Sequence, residues 1–170
     1  MIASLLQAHR APCVVTAGVF DGVHCGHRQL VSRASRVARE RRLKLTAVTF
    51  SPRPDAVATP PGLPDLCGID ERVARLRRAG ADDVVVVPFT RALMGMPAAE
   101  FARHLVDDLG MRALVVGEDF ALGRGREGTP DALRALGIDV VTVPLLCEIG
   151  RREKISSSTL RRRLAVAHAA

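Results

Sequence analysis

Two histidines, His24 and His27, stand three residues apart in the segment GVFDGVHCGH, with Gly26 between them. An apolar run precedes this segment and a stretch with helical periodicity follows it, so both imidazoles are predicted to flank a helix N-terminus. Free N–H groups and the helix dipole make such an end favourable for anions. The glycines allow a tight turn and close approach of a ligand to the backbone. The spacing therefore favours contact with a phosphate-bearing molecule such as a nucleoside triphosphate.

Two other interpretations of these histidines stay open. Either ring could be a buried structural side chain that binds no ligand. The pair could also form half of a metal site, but Asp21 is the one further residue nearby at ligand spacing, so the sequence assigns no metal ligands. The glycine spacing favours phosphate over both.

The rest of the chain alternates between apolar, strand-like runs and helical patterns. Strands are predicted over 12–18, 43–50, 82–89, 112–120 and 139–144. Helices are predicted over 26–41, 70–80, 97–109 and 130–136, and a basic helix closes the chain. The segment 51–68 holds five of the ten prolines and is predicted to be a long loop. This alternation predicts a doubly wound, Rossmann-like α/β domain with a parallel sheet of about five strands, whose ligands bind beyond the carboxyl ends of the strands.

Composition and charge exclude several classes of protein. The net charge of +7 fits an anionic small molecule or solvated basic helix faces, and five Phe without Trp or Tyr supply few platforms for stacking bases. The four cysteines are scattered and form no CxxC pair, which argues against a zinc cluster and against a disulfide framework. No stretch resembles a membrane span or a secretory signal. We expect a cytoplasmic, single-domain protein over 1–170 with no nucleic-acid or membrane partner.

The segment GRGREG (123–128) has the glycine pattern of a dinucleotide-binding turn. Such a turn opens a helix directly after a strand, whereas the residues EDFAL separate this segment from the predicted strand. We interpret it as a mobile basic loop near the phosphates, with the dinucleotide interpretation as a minor alternative.

Four segments, in chain order, resemble motifs of the FMN adenylyltransferase module of bacterial bifunctional FAD synthetases, in the HxGH nucleotidylyltransferase superfamily. GVFDGVHCGH resembles the HxGH signature, and TFSPRP (49–54) resembles the TFxPxP segment. VVGEDFALGRGREG (115–128) and ISSSTLRRRL (155–164) resemble the VGxDFxFGxxxxG and ISSxxxR segments. The resemblance implies a nucleotidylyltransferase-type fold and transfer of AMP from ATP to FMN, giving FAD and pyrophosphate. It also implies that Mg²⁺ is bound mainly through the ATP phosphates.

The resemblance further implies roles for individual residues. Those that would bind ATP are Gly18, Phe20, Asp21, His24, Gly26, His27, Ser156, Ser157, Ser158 and Arg161. Those that would bind the flavin are Phe50, Pro52, Arg53, Pro54, Gly117, Asp119 and Phe120. Those that would act in catalysis are His24, His27, Asp119 and Arg161. Independently, serine hydroxyls at a helix start followed by arginine suit a polyphosphate, although an ordinary helix cap has the same pattern.

The chain departs from the family's pattern at Val19, Ser51, Arg53 and Thr159. Since Ser51 and Arg53 fall in the flavin-facing loop, two alternatives stay open: transfer of AMP or CMP to another phosphorylated acceptor, and binding of flavin or nucleotide without turnover. Arg53 either contacts the acceptor or points to solvent. The family usually carries a riboflavin kinase module after the ISSxxxR helix, and we expect no such domain in this chain.

Overall fold

Five strands form one parallel sheet in the computed structural model, which describes residues 11–59 and 64–144. The strands are β1 (Cys13–Ala17), β2 (Lys44–Ser51), β3 (Asp83–Pro88), β4 (Met111–Gly117) and β5 (Val140–Val143). Their order across the sheet is β3–β2–β1–β4–β5, and every neighbouring pair is parallel. This arrangement confirms the predicted doubly wound α/β fold.

Six α-helices connect the strands within the described residues. They are α1 (Cys25–Glu40), α2 (Pro54–Ala58), α3 (Ile69–Arg78), α4 (Arg91–Met94), α5 (Ala98–Asp107) and α6 (Pro130–Ala135). Short 3₁₀ turns lie at Asp21–Val23 and Arg124–Arg126. The strands and the four longer connecting helices begin and end within three residues of the predicted positions.

Two of the short helices were not predicted. The segment 51–68, predicted to be a loop, contains α2, because Pro54 occupies the first helical turn, where its missing N–H has no intrahelical partner to lose. Helix α4 follows Thr90, whose side-chain oxygen accepts a hydrogen bond from the Leu93 N–H at 3.2 Å and caps the helix.

The helices cover both faces of the sheet. On one face α1 and α3 bury apolar side chains such as Val31 and Leu76 against Val14 and Leu45. On the other face α4, α5 and α6 form a second core, represented by Phe101 packed with Leu114 and their neighbours. All five residues of β1 are buried, because a central strand covered on both faces has no solvent side.

The sheet has a topological switch point between β1 and β4. The chain leaves β1 through α1 toward β2 on one face, and it reaches β4 from β3 through α4 and α5 on the other. The loops that follow β1 and β4 therefore diverge and leave a crevice, which is the ligand position in doubly wound sheets. Two of the sequence motifs, at 18–27 and 115–128, lie in or run into these loops.

Candidate active site

The turn after β1 brings the two predicted histidines together at the start of α1. His24 is the N-cap residue of the helix and has extended backbone geometry. The rings of His24 and His27 are stacked, with centroids 3.7 Å apart and 23° between their planes. Both imidazoles thus lie beside the free N–H groups at the helix N-terminus. The spacing predicted this placement, and the role of the two rings stays a prediction.

Phe20 supports this turn from the core. Its side chain is 1% exposed, and its ring meets the His27 ring edge-on at a centroid distance of 5.3 Å. A Cβ on Gly18 would lie 3.2 Å from the Phe20 ring, so glycine at that position lets the ring pack under the backbone. The resemblance implied that Phe20 binds ATP. In the structure the ring is enclosed in the core and shapes the turn, and the role of Phe20 toward ATP stays a prediction.

Asp21 is buried beneath the same turn and has no exposed surface. Its Oδ1 accepts a hydrogen bond from the Leu66 N–H at 2.8 Å. Guanidinium nitrogens of Arg53 and Arg72 lie 3.7 Å and 3.8 Å from its carboxylate oxygens. Its carboxylate therefore faces protein groups in the interior, and its role toward ATP stays a prediction.

Arg72 joins three separate segments from inside the protein. Its Nη1 donates hydrogen bonds to the carbonyl oxygens of Val19, at 3.1 Å, and Phe50, at 2.9 Å. Its Nη2 donates to Asp65 at 3.2 Å. Since the side chain is 1% exposed, these partners replace the water that the charge lost on burial.

Arg53 has the same surroundings and differs from one of the two sequence predictions. Its side chain is 1% exposed, so it does not point to solvent. Its Nη1 donates to Asp55 at 3.1 Å, and its Nε pairs with Asp65. The guanidinium thus contacts acidic residues of the protein, and its contact with the acceptor stays a prediction. We call the residues Asp21, Arg53, Asp55, Asp65 and Arg72 the ion cluster.

Burial shifts the titration of the cluster's central carboxyl group. Removal from water raises the pKa of Asp21, and the nearby Asp65 charge acts in the same direction. The Leu66 N–H and the two guanidinium groups act against this rise without cancelling it. The free energy lost when the charged carboxylate leaves water is therefore larger than the free energy gained from its hydrogen bond and the two guanidinium groups.

A cavity of about 650 Å³ lies at the carboxyl ends of the central strands. The chain has five phenylalanines, and four of them form part of its wall: Phe50, Phe89, Phe101 and Phe120. The Phe50 ring meets the Phe89 ring at 5.7 Å and 86°, which is an edge-to-face contact. The wall also includes Gly18 and Val19, which lead into the histidine turn. The cavity wall and the histidine turn are therefore neighbouring parts of the chain after β1.

The predicted flavin-binding residues divide between this wall and its surroundings. Phe50, Pro54, Asp119 and Phe120 line the cavity. Pro52, which follows a cis peptide bond, and Gly117 each lie two residues from a wall residue in the chain and are not part of the described wall. Sequence reasoning missed Leu93 and other wall residues on α4 and α5, because their only signal was ordinary apolar helical spacing.

The loop after β4 is anchored against the start of α5. The Glu127 carboxylate accepts a hydrogen bond from the Ala98 N–H at 2.9 Å, and the Arg124 N–H donates to the Met96 carbonyl at 2.8 Å. A Cβ on Gly123 would lie 2.6 Å from the backbone of Ala98, so the close approach requires glycine. The segment predicted to be a mobile basic loop thus has fixed contacts at its base.

The remaining predicted site residues lie outside the described part of the chain. They are Ser156, Ser157, Ser158 and Arg161, together with the departure at Thr159. Their roles stay predictions.

Across 11–59 and 64–144, no three His, Cys, Asp or Glu side chains are grouped so that they could hold a metal ion. The helices in the same ranges are too short or too polar to cross a membrane.

The fold and the site define a doubly wound α/β protein that places paired histidines and an aromatic cavity at its switch point. Comparison with known families gives a match to the FAD synthetase family over residues 6–159. The chain belongs to the FAD synthetase family.

Curated relatives carry the name bifunctional riboflavin kinase/FMN adenylyltransferase. The protein from Escherichia coli (strain K12) is 36% identical over 170 residues, covering 96% of this chain and 54% of that protein. The protein from Bacillus subtilis (strain 168) is 29% identical over 163 residues, covering 92% of this chain and 51% of that protein. The chain thus spans about half the length of the curated relatives it matches.

Solved structures show the same fold. A crystal structure described as a macrolide-efflux protein from Streptococcus pneumoniae has a TM-score of 0.83 at 26% identity, covering 92% of this chain and 53% of that one. A pantothenate synthetase from Thermus thermophilus has a TM-score of 0.56 at 19% identity, covering 96% of this chain and 68% of that one. The second likeness concerns the fold alone.

Replacement of Gly123 tests the anchoring of the loop. Gly123 has φ 76° and ψ 177°, a region open almost only to glycine, whereas Gly125 has φ 61° and ψ 14° in the left-handed region, so alanine costs more backbone free energy at Gly123. A Cβ at Gly125 meets nothing within 4 Å, whereas one at Gly123 overlaps Ala98. We expect Gly123→Ala to lower the free energy of unfolding by about 1–3 kcal/mol more than Gly125→Ala, measured by urea denaturation. An equal loss of unfolding free energy in the two variants would contradict the anchoring of the loop.

Replacement of Asp21 tests the electrostatics of the ion cluster. The pKa of Asp21 is higher in the native protein than in the unfolded chain, so the native state binds the proton more tightly. The contribution of this proton to the free energy of unfolding is complete below the unfolded pKa of about 3.9. It decreases as the pH rises through the native pKa. Asn at this position carries no such proton. We therefore expect Asp21→Asn to gain stability relative to the native sequence as pH rises from about 4 to 7.

The measurement is urea denaturation at several pH values. Asp107→Asn, which removes one exposed negative charge at the end of α5, is the matched control. A relative stability of Asp21→Asn that stays flat or falls over the same pH range would refute the assignment.

Proposed function

We propose that this chain transfers AMP from ATP to the phosphate of FMN, forming FAD and pyrophosphate. The observation that carries the proposal is that one turn joins an aromatic cavity to a histidine pair: the wall of the cavity includes Gly18 and Val19, and the same turn leads to the stacked His24 and His27. Membership of the FAD synthetase family and the names of the curated relatives support it. Since ATP is a cytoplasmic substrate, we infer a cytoplasmic location.

The chemistry of the cavity favours a flavin as the acceptor. Its volume of about 650 Å³ suits a ligand of the size of one tricyclic ring system with its side chain. Four phenylalanine rings offer the apolar, aromatic surface that a flat ring system requires. A small phosphorylated acceptor without an aromatic ring would leave this wall unused, so the walls favour FMN over such acceptors.

The transfer needs positioning and charge stabilisation more than it needs a strong base. An oxygen of the FMN phosphate attacks the α-phosphorus of ATP, and the bond from that phosphorus to the bridging oxygen of pyrophosphate breaks. The attacking phosphate is already an anionic nucleophile, so the protein supplies alignment and stabilises the charge that develops.

The histidine turn supplies the groups for that stabilisation. Imidazole N–H donors of His24 and His27 and backbone N–H groups at the start of α1 would hold the triphosphate oxygens. Ser156, Ser157, Ser158 and Arg161 would add donors from the C-terminal segment, and Asp119 at the cavity wall would lie near the junction of the two substrates. Gly26 would give the nucleotide room at the helix start.

Magnesium would enter with the nucleotide. The described residues offer no group of ligands for a metal, so Mg²⁺ would be held mainly by the phosphate oxygens of ATP and by water. When bound, it would neutralise phosphate charge, and no step proposed for the side chains above depends on its position.

An assay with FMN, ATP and Mg²⁺ tests the proposal together with the two histidines. We expect the native protein to release FAD and pyrophosphate, and His24→Ala and His27→Ala each to lower turnover by about 10²-fold or more, because each removes a donor to the charged phosphates. Both rings are partly exposed, so the free energy of unfolding should change little.

His104→Ala is the matched control, since His104 pairs with Asp108 on α5 and its loss should leave turnover unchanged. Near-normal turnover in both site variants would refute the roles of the two histidines. Transfer of AMP or CMP only to other phosphorylated acceptors, or binding of FMN and ATP without turnover, would refute the proposed reaction.

A further inference from the structure

The charged groups of the cavity wall are few and unevenly distributed. Among the described wall residues, Asp55 and Asp119 are acidic and Arg126 alone is basic. Asp55 already pairs with Arg53 of the ion cluster. A dianionic acceptor that enters this cavity therefore meets one positively charged side chain among the described wall residues.

The backbone holds Arg126 in an uncommon conformation. Its φ is 61°, in the left-handed region that non-glycine residues seldom adopt. The Arg126 N–H donates to the Gly123 carbonyl at 3.1 Å, and the following Glu127 is fixed on the N-terminus of α5. The anchored glycine loop thus imposes this conformation. Such conformations cost free energy and concentrate at functional positions.

The side chain of Arg126 lies at the edge of the cavity and has more N–H donors than its hydrogen bond to the wall uses. Its Nη2 donates to the Asp119 carbonyl oxygen at 3.0 Å, which holds the guanidinium beside the wall. A guanidinium has five N–H donors, and this bond uses one of them. The remaining donors form a planar fork that matches two oxygens of a phosphate.

We propose that Arg126 binds the phosphate of the acceptor and thereby selects FMN over flavins that lack a phosphate. This inference rests on the proposed function and adds a residue that determines its specificity. Riboflavin and FMN present the same ring system to the phenylalanines, so the aromatic wall cannot distinguish them. Arg126 distinguishes them because only FMN offers anionic phosphate oxygens to its guanidinium.

Flavin titrations of the native protein and two variants test this selection. Arg126→Gln removes the charge at the wall, whereas Arg124→Gln removes a charge from the same turn at a residue outside the described wall. Binding of FMN and of riboflavin is followed by flavin fluorescence, with and without Mg²⁺ and a non-hydrolysable ATP analogue. Urea denaturation checks that both variants fold as the native protein does.

We expect the native protein to bind FMN more tightly than riboflavin. Arg126→Gln should weaken FMN binding by about tenfold, leave riboflavin binding unchanged and reduce the salt dependence of FMN binding. Arg124→Gln should keep the native preference.

An unchanged preference for FMN in Arg126→Gln, or an equal loss of preference in both variants, would overturn the inference and leave the proposed function standing. Failure of the native protein to bind either flavin under any of these conditions would overturn the proposed function, and the inference with it.

Discussion

The carboxylate of Asp21 lies in the interior between the guanidinium groups of Arg53 and Arg72, and the rest of the site depends on this contact. Through the ion cluster, the turn after β1, the end of β2 and the segment around Asp65 share the same two arginines. Loss of one of its three buried members, Asp21, Arg53 or Arg72, leaves buried charge uncompensated, at a cost of about 3–5 kcal/mol. These three segments are therefore held in one arrangement.

This constraint explains how loops can form a shaped site. The turn with the histidines contains residues in the left-handed region, Phe20 and Val23, and such a turn persists only where its surroundings hold it. The buried Arg72 donates a hydrogen bond to the Val19 carbonyl, and Arg75 donates one to the Gly22 carbonyl at 2.7 Å. Since β2 is tied to the same arginine through Phe50, the cavity wall and the histidine turn keep a fixed relation to each other. Such fixed geometry is what catalysis by positioning requires.

The sequence was most informative where local patterns decide the structure. Alternating apolar runs predicted the sheet, and glycine spacing placed the histidines at a helix start. The cavity could not be predicted in this way, because Phe50, Phe89, Phe101 and Phe120 are far apart in the chain and meet only through tertiary packing. Arg72 did leave a signal: with Ile69, Val73 and Leu76 it occupies the apolar stripe of α3, where a charged residue must find buried partners. The burial of Arg53 left no such signal, since Asp21 and Asp65 lie far from it in the sequence.

A crystal structure of the protein with FMN and a non-hydrolysable ATP analogue would test the central claim most directly, namely that the cavity and the histidine turn bind two substrates in line for transfer. The account predicts the flavin ring against the phenylalanines and the triphosphate on His24 and His27. It also predicts an FMN phosphate oxygen within about 3–3.5 Å of the α-phosphorus. A flavin bound outside the cavity, or a triphosphate away from the histidines, would contradict the account.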